Sequence, residues 1–392
     1  MTAHPAIAQK SALAGRCQPL FLLLACLAGM LFAGISHANP LMDGLEAALP
    51  HYRQIAADPL VQAAWQEPLP PLGSRKLEPG KPYAGLPLLM RRLVALSDLP
   101  SDTPIPERYE YEGQAIEGII AFQRRHGLEP DGVIGKETLV QLNVPPSVRV
   151  RQIELNIARL KQLPSSPRLL IVNVPEFMLR AYEQAEEKLR MKIIVGNALR
   201  TRTPMFVEDM RYIEFSPYWN VPPSIARKET IPKLRRDPQY FEAQGFEFYT
   251  GNGSVVTTLA DENLEAVLQG QMRIRQRPGA KNALGGIKFV FPNNDNIYMH
   301  HTPAIQLFKK ARRDFSHGCI RVEEPLALAL FVLRNEPGWD EERILAAMAK
   351  GRSATLRLRE PLPVLIAYFT AVAEEDGRVH FFPDLYGFDK LQ

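Results

Sequence analysis

The sequence predicts an α+β chain: a small bundle of three short helices, then a mostly β domain interrupted by a helical, lid-like insertion. Three observations predict it. Helical periodicity recurs in "LPLLMRRLVALSDL", "AIEGIIAFQRRHG" and "IGKETLVQLN", close together in the first half of the chain. From about position 168 the period changes to β-rich runs, "RLLIVNVPEFMLRAYE" and "LRMKIIVGNA", continued by "MRYIEFSPYWNVP", "IKFVFP" and "NIYMHHTP". Among these runs, residues 224–270 turn polar and helix-like, with a Gly/Ser turn at "TGNGS", and read as an insertion able to cover a site.

Taken in order, residues 1–38 carry Lys10 and Arg16, an apolar run from Leu20 to Ile35, and small residues at Ser36 and Ala38. That is the pattern of a secretory signal peptide cleaved after Ala38, which predicts export to the periplasm. A retained membrane anchor is the alternative, and lipidation at Cys26 a third. Residues 39–85 read as a helix ("LMDGLEAALPHYRQIAA") followed by a Pro-rich linker or scaffold. Residues 86–146 form the helical module, in which Ile116, Ile119, Ile120 and Phe122 make one face, Gly127 is a C-terminal cap, and Asp131 and Gly132 make a turn. A connecting helix spans 147–167, the β domain 168–330, and a helical segment 331–392.

A chain of 392 residues exceeds what one core usually serves, so modularity is expected. Loss of residues 1–38 removes two bases and no acid, taking the formal charge from +4 to +2. That balance argues against a nucleic-acid partner. Of three cysteines, only Cys319 survives export, so no internal disulfide can form and the lone thiol becomes a candidate reactive group.

Cys319 ends "IYMHHTPAIQLFKKARRDFSHGC", which also holds His300, His301 and His317, three of the eight histidines. A thiol of ordinary pKa, about 8.5, needs a base or positive charge nearby to act as a nucleophile. An adjoining strand could deliver His300. Spacing alone leaves open a zinc site of three imidazoles and a thiolate, although H-E-x-x-H is absent, and a purely structural cysteine. Lys309, Lys310, Arg312 and Arg313 read either as a solvated charged face or as an attractor of acidic peptides.

Two resemblances sharpen this. "IEGIIAFQRRHGLEPDGVIGKETLVQLNV" resembles the peptidoglycan-binding module of the first type, which implies a wall-binding or scaffold role with glycan strands as a partner. The order His300, Ser316, His317, Gly318, Cys319, Arg321 is similar to the signature of the L,D-transpeptidases, whose catalytic domain is the YkuD-like β fold. "VGNALRTRTPMF", "SPYWNVPPSIA" and "RQRPGAKNALGGIKFVFPN" agree with the larger branch of that family. The likeness runs from about 80 to 340.

The resemblance implies that Cys319 attacks a stem-peptide carbonyl to form a thioester, with His300 as general base. His301, at a position where this branch commonly carries aspartate, would orient His300, a role the family often fills with the backbone carbonyl, and N–H groups near Gly318 and Cys319 would hold the oxyanion. Arg321 would hold the loop or a substrate carboxylate; His317 would brace the loop or take part in catalysis. Ser316, Tyr218, Trp219 and Asn220 are the candidates for binding substrate. Peptidoglycan stem peptides are the implied partner and carbapenem-type β-lactams the implied covalent inhibitors, and no metal or organic cofactor is required. The implied activity is a periplasmic crosslinking enzyme joining third stem residues. A hydrolase of the same family and a catalytically silent wall-binding protein are the alternatives.

Overall fold

The structure is a computed structural model that describes residues 40–73, 76–107, 109–164 and 166–390. The predicted leader, its cleavage after Ala38 and Cys26 lie outside the described residues. No helix among the described residues is long and apolar enough to cross a membrane.

The chain begins with α1 (Pro40–Ala57), and the module contributes α2 (Leu86–Ala95), α3 (Gln114–Arg125) and α4 (Lys136–Leu142). Leu86, Leu89, Leu93, Ile119, Phe122 and Leu142 share one core, because their spacing puts them on single helix faces. Gly127 follows α3 at φ +62, and the Leu128 N–H reaches back to Gln123 O at 2.9 Å, the closing bond of a helix end that needs a left-handed residue. Asp131 accepts the Val133 N–H at 2.9 Å, so it builds the turn.

The Pro-rich stretch packs as scaffold and is not a linker, which narrows the expectation for residues 39–85. Leu69, Leu77 and Tyr83 are buried in the module core, and the Leu69 N–H donates to Asn143 Oδ1 at 2.8 Å. Arg92, fully buried on α2, ties the stretch down through bonds to Ala64 O (2.9 Å), Glu67 O (2.6 Å), Leu142 O (2.9 Å) and Asn143 Oδ1 (2.8 Å). Arg92→Met keeps the aliphatic bulk and strands these acceptors. It is expected to lower unfolding stability by about 3 kcal/mol in chemical denaturation.

The connecting helix α5 (Pro146–Leu160) packs along α1, and Leu45, Tyr52, Ile153 and Ile157 form a second core with Phe369, Val372 and Phe381 from the C-terminus. Beyond it, eight strands close a barrel: β1 (Arg168–Asn173), β2 (Met178–Glu183), β3 (Glu186–Ile194), β4 (Phe206–Phe215), β5 (Ile287–Val290), β6 (Met299–His300), β7 (Ile320–Val322) and β8 (Ala354–Ala367). Their order around the barrel is β1-β8-β4-β5-β6-β7-β3-β2. Closure depends on β8, which pairs in parallel with β1 (Leu170↔Val364) and antiparallel with β4 (Leu365↔Val207).

This corrects the expected end of the β domain at 330 and the helical assignment of 331–392. Only Pro325–Val332 (α6) and Glu341–Ala349 (α7) are helical there. Pro361 and Pro363 mask β8 in the sequence, and the strand tolerates them because its pairing with β4 shifts register between Arg357 and Leu362. A hairpin, Ala371–Ala373 with Val379–Phe381, then leads the chain back toward the loop after β3.

The insertion is also more than helices. It runs from Trp219 to Gln276 around a four-stranded sheet in the order Trp219–Asn220, Arg273–Gln276, Phe246–Tyr249, Val255–Val256. Its core of Val221, Ile231, Leu234, Phe241, Phe248 and Ile274 is separate from the barrel's. Short strands of two to four residues carry too little alternation to stand out in sequence.

Candidate active site

The period of two in the strands sorts the barrel's inside from its outside. Met299, Ile320, Val322, Ile287 and Phe289 fill the barrel core, which turns His300, Arg321 and Lys288 to the outer face. The ladder then sets them side by side, with His300 opposite Arg321 on β7 and opposite Lys288 on β5. Cys319 immediately precedes β7, and the Ile320 N–H donates to Tyr298 O at 3.0 Å, so the thiol lies beside Tyr298. A single step along β6 separates the strand's start beside that thiol from His300.

His300 is buried, and its Nδ1 is bonded to His301 O at 2.5 Å. That carbonyl fixes the proton on Nδ1 and leaves Nε2 as an acceptor. Burial, with the Arg321 and Lys288 charges adding to it, pushes the imidazole pKa down to about 3. Burial pushes the Cys319 thiol up, against the opposing pull of the Tyr298 backbone N–H and phenol and of the Lys288 and Arg321 cations. Thiol and imidazole therefore both rest neutral near pH 7, and the thiol's own donor contact is to Asn296 O at 3.8 Å.

His301 answers the question raised by its missing aspartate. Its backbone carbonyl orients His300, its N–H donates to Ile287 O at 3.0 Å, and its Nδ1 accepts the Gly286 N–H at 3.3 Å. Any side chain at 301 supplies the same carbonyl. His317, by contrast, is exposed and reaches out of the loop: Nε2 lies 2.7 Å from Glu229 Oε1 on the insertion. Glu229 belongs to a π-helical turn, Ala226–Thr230, a distortion common near functional sites. The three imidazoles thus point to three different partners, and no group of three or more His, Cys, Asp and Glu among the described residues could hold a metal ion.

The loop around Cys319 is rigid for local reasons. Ser316 Oγ donates to Cys319 O (2.5 Å) and accepts the Gly318 N–H (3.1 Å). The Gly318 N–H is therefore occupied within the turn. Gly318 sits at φ +116, where an added Cβ would lie 3.2 Å from Ile297 Cδ1. Gly318→Ala is expected to displace the thiol and slow its acylation about 100-fold, measured as the rate of covalent labelling on folded protein.

Support for this turn comes from residues to which the sequence assigned no role. Thr201 Oγ1 donates to Ser316 O (2.9 Å), Thr203 Oγ1 to Gly318 O (2.8 Å), and buried Asp314 accepts the Ala198 N–H (3.1 Å). Tyr386 accepts the Thr203 N–H (3.1 Å) and donates to Gly196 O (2.7 Å), bracing the loop from behind. Tyr298, whose phenol bonds the Cys319 thiol, stands 5.7 Å from the His300 ring by centroids, with Lys288 Nζ 4.4 Å above its own ring. Its signal was available: it lies two residues before His300, on the same side of an extended run.

Other expected residues are distributed more widely. Trp219 lines a cavity of about 210 Å³ between insertion and barrel, with Tyr240, Phe246, Gln276 and Arg321. Tyr218 and Asn220 do not line it; Tyr218 stacks under the Arg275 guanidinium at 4.1 Å, and Asn220 pairs with Arg275 in the small sheet. In the basic stretch, Lys309, Lys310 and Arg312 are exposed, but Arg313 is buried and donates to Ile193 O and Phe177 O. Arg312 pairs with Asp314 and, across to the helical module, with Glu137 at 3.4 Å.

Residues 167–339 match the YkuD family model, described as the L,D-transpeptidase catalytic domain, and residues 91–142 match the "Putative peptidoglycan binding domain". A Haemophilus influenzae protein named "Putative L,D-transpeptidase" is 32% identical over 240 residues, covering 61% of this chain and 48% of its own length. The chain thus spans about half the length of the curated relative it matches. Among solved structures, an L,D-transpeptidase from Mycobacterium smegmatis aligns over 52% of this chain and 59% of its own, at 9% identity and a TM-score of 0.26. One from Stackebrandtia nassauensis aligns over 76% and 97%, at 12% identity and a TM-score of 0.27.

Proposed function

Since residues 167–339 belong to the YkuD L,D-transpeptidase catalytic domain family and residues 91–142 to the peptidoglycan-binding domain, we propose that this chain is a periplasmic cysteine L,D-transpeptidase that crosslinks third stem-peptide residues. The observation that carries the reading is the His300 imidazole, buried, held by His301 O with Nε2 free, on the strand that runs beside Cys319.

The thiol of Cys319 attacks the carbonyl carbon of the third residue in a donor stem as His300 Nε2 takes its proton. With the Gly318 N–H committed to Ser316 Oγ, the Cys319 N–H is the donor assigned to the tetrahedral oxyanion. Collapse breaks the C–N bond, His300 returns the proton to the departing D-alanine amine, and the acyl group stays as a thioester. A side-chain amine from a neighbouring stem then attacks that carbonyl, giving its proton to His300 and releasing the thiolate, which is reprotonated. Tyr298 and the two cations stabilise negative charge at sulfur in both halves. Carbapenem-type β-lactams present a strained carbonyl to the same thiol and are proposed to acylate it.

Product analysis on disaccharide tetrapeptides tests the assignment. Crosslinked dimers from the wild type, absent with Cys319→Ala, are expected. Tripeptide monomers alone would instead assign a hydrolase, and no product from either protein would leave the wall-binding alternative.

A further inference from the structure

Gly318 and Cys319 carry four polar backbone groups, and three of them are occupied. The Gly318 N–H donates to Ser316 Oγ, Ser316 Oγ donates to the Cys319 carbonyl, and Thr203 Oγ1 donates to the Gly318 carbonyl at 2.8 Å. The Cys319 N–H alone has no acceptor among the described residues. This N–H is the donor assigned to the oxyanion, and it belongs to the same peptide unit as the Gly318 carbonyl. A trans peptide is planar, with its N–H and C=O pointing in opposite directions, so a group that pins the carbonyl also aims the N–H.

Thr203 is built into the fold to do that. It is fully buried, and its hydroxyl accepts the Gly196 N–H at 2.8 Å, which leaves its own proton for Gly318 O. Its backbone N–H donates to the Tyr386 phenol at 3.1 Å, and the phenol proton goes to Gly196 O at 2.7 Å. Gly196 in turn bridges Ser316. The circuit closes on itself, and each hydroxyl in it has one direction in which to donate. Two features of the sequence permit it. Pro204 keeps Thr203 out of the helical region, and a Cβ at Gly196 would lie 1.9 Å from Thr201 O, so only glycine lets the 201–203 segment approach. A directed proton on a carbonyl draws electron density from the peptide nitrogen and makes its N–H a stronger donor, which a packing contact does not do.

We propose that Thr203 is the positioning residue of the oxyanion hole, orienting and polarising the Cys319 N–H through the Gly318–Cys319 peptide, with Tyr386 holding Thr203 in register. As sulfur bonds to the donor carbonyl carbon, the carbonyl electron pair moves onto oxygen and meets the Cys319 N–H. The pair returns as the carbon–nitrogen bond breaks and the amine leaves with the proton carried by His300. Thr203 touches no reacting atom and exchanges no proton. The inference rests on the transpeptidase reading.

Acylation and alkylation of one thiol separate this role from simple support. Donor tetrapeptide, with no acceptor added, passes through an oxyanion on its way to the thioester. Iodoacetamide forms a carbon–sulfur bond and expels iodide with no charge developing on a carbonyl oxygen. Thr203→Val keeps the shape of the side chain and removes the hydroxyl. On the full chain it is expected to slow thioester formation about 10- to 100-fold while alkylation of Cys319 changes by less than about 2-fold. The loss falls in the limiting rate and not in the donor concentration that gives half of it. Thr203→Ser, which keeps the hydroxyl, restores most of the acylation rate. Tyr386→Phe, which takes away the partner of the Thr203 N–H, lowers it in the same selective way and decides the matter if Thr203→Val does not fold. Equal loss of acylation and alkylation would reduce Thr203 to a support for the thiol and overturn the inference, as would unchanged acylation in Thr203→Val and Tyr386→Phe. Wild-type protein that is alkylated but never forms a thioester would overturn the transpeptidase reading itself.

Discussion

Cys319→Ala is expected to abolish donor acylation and crosslink formation completely while leaving the fold in place. The substitution removes one half-buried sulfur at the outer rim of the barrel, where Met299, Ile320 and Val322 fill the core without it. Loss of its contacts with Tyr298 and Asn296 O changes stability by at most about 1 kcal/mol. The chemical loss has no such limit, because no other cysteine occurs among the described residues. Muropeptide products and denaturation midpoints measured on the same preparation separate the two effects.

His300→Gln is the second large effect, with an expected fall of about 10²- to 10⁴-fold in the rate of thioester formation. The pH dependence is its signature. A base held at about pKa 3 is already neutral at pH 5, so the wild-type rate should show no inflection near 6.5. The rate should instead stay level from pH 5 up to the raised pKa of the Cys319 thiol, because the neutral thiol and neutral imidazole are both fully populated across that range.

Stability carries the same information with a defined sign. The unfolded chain takes up a proton on His300 near pH 6.5, whereas the folded chain waits until about 3. The contribution is complete above about 6.5 and disappears as pH falls through that window, at about 1.4 kcal/mol per pH unit. His126, buried against Phe122 and likewise pushed down by burial, acts in the same direction. Denaturation curves at pH 7, 5 and 4 should steepen in loss for the wild type and flatten by one proton in His300→Gln.

The helices of the module and most barrel strands were legible because their apolar periods are long and regular. β8 was not, since its two prolines mimic a break and only the pairing partners β1 and β4 reveal the bulge that accommodates them. The site divides in the same way. Cys319 and His300 could be singled out because reactive residue types crowd one segment, and the ladder puts His300 beside β7. His301 looked anomalous only while its side chain was considered; the orienting carbonyl, which the family resemblance implies, is independent of the residue type at that position. Tyr386 and Thr203 act through single hydrogen bonds between distant segments, a relation that exists only after the barrel closes. Glu229 and His317 meet by the same kind of tertiary accident of chain path.

The most direct test of the account is peptide mapping of the wild-type protein after a short incubation with donor tetrapeptide and no added acceptor. An acyl tripeptide carried on Cys319, hydroxylamine-labile as a thioester must be, with one equivalent of D-alanine released, is the predicted result. Release of D-alanine with Cys319 unmodified, or with the acyl group on another residue, would contradict it.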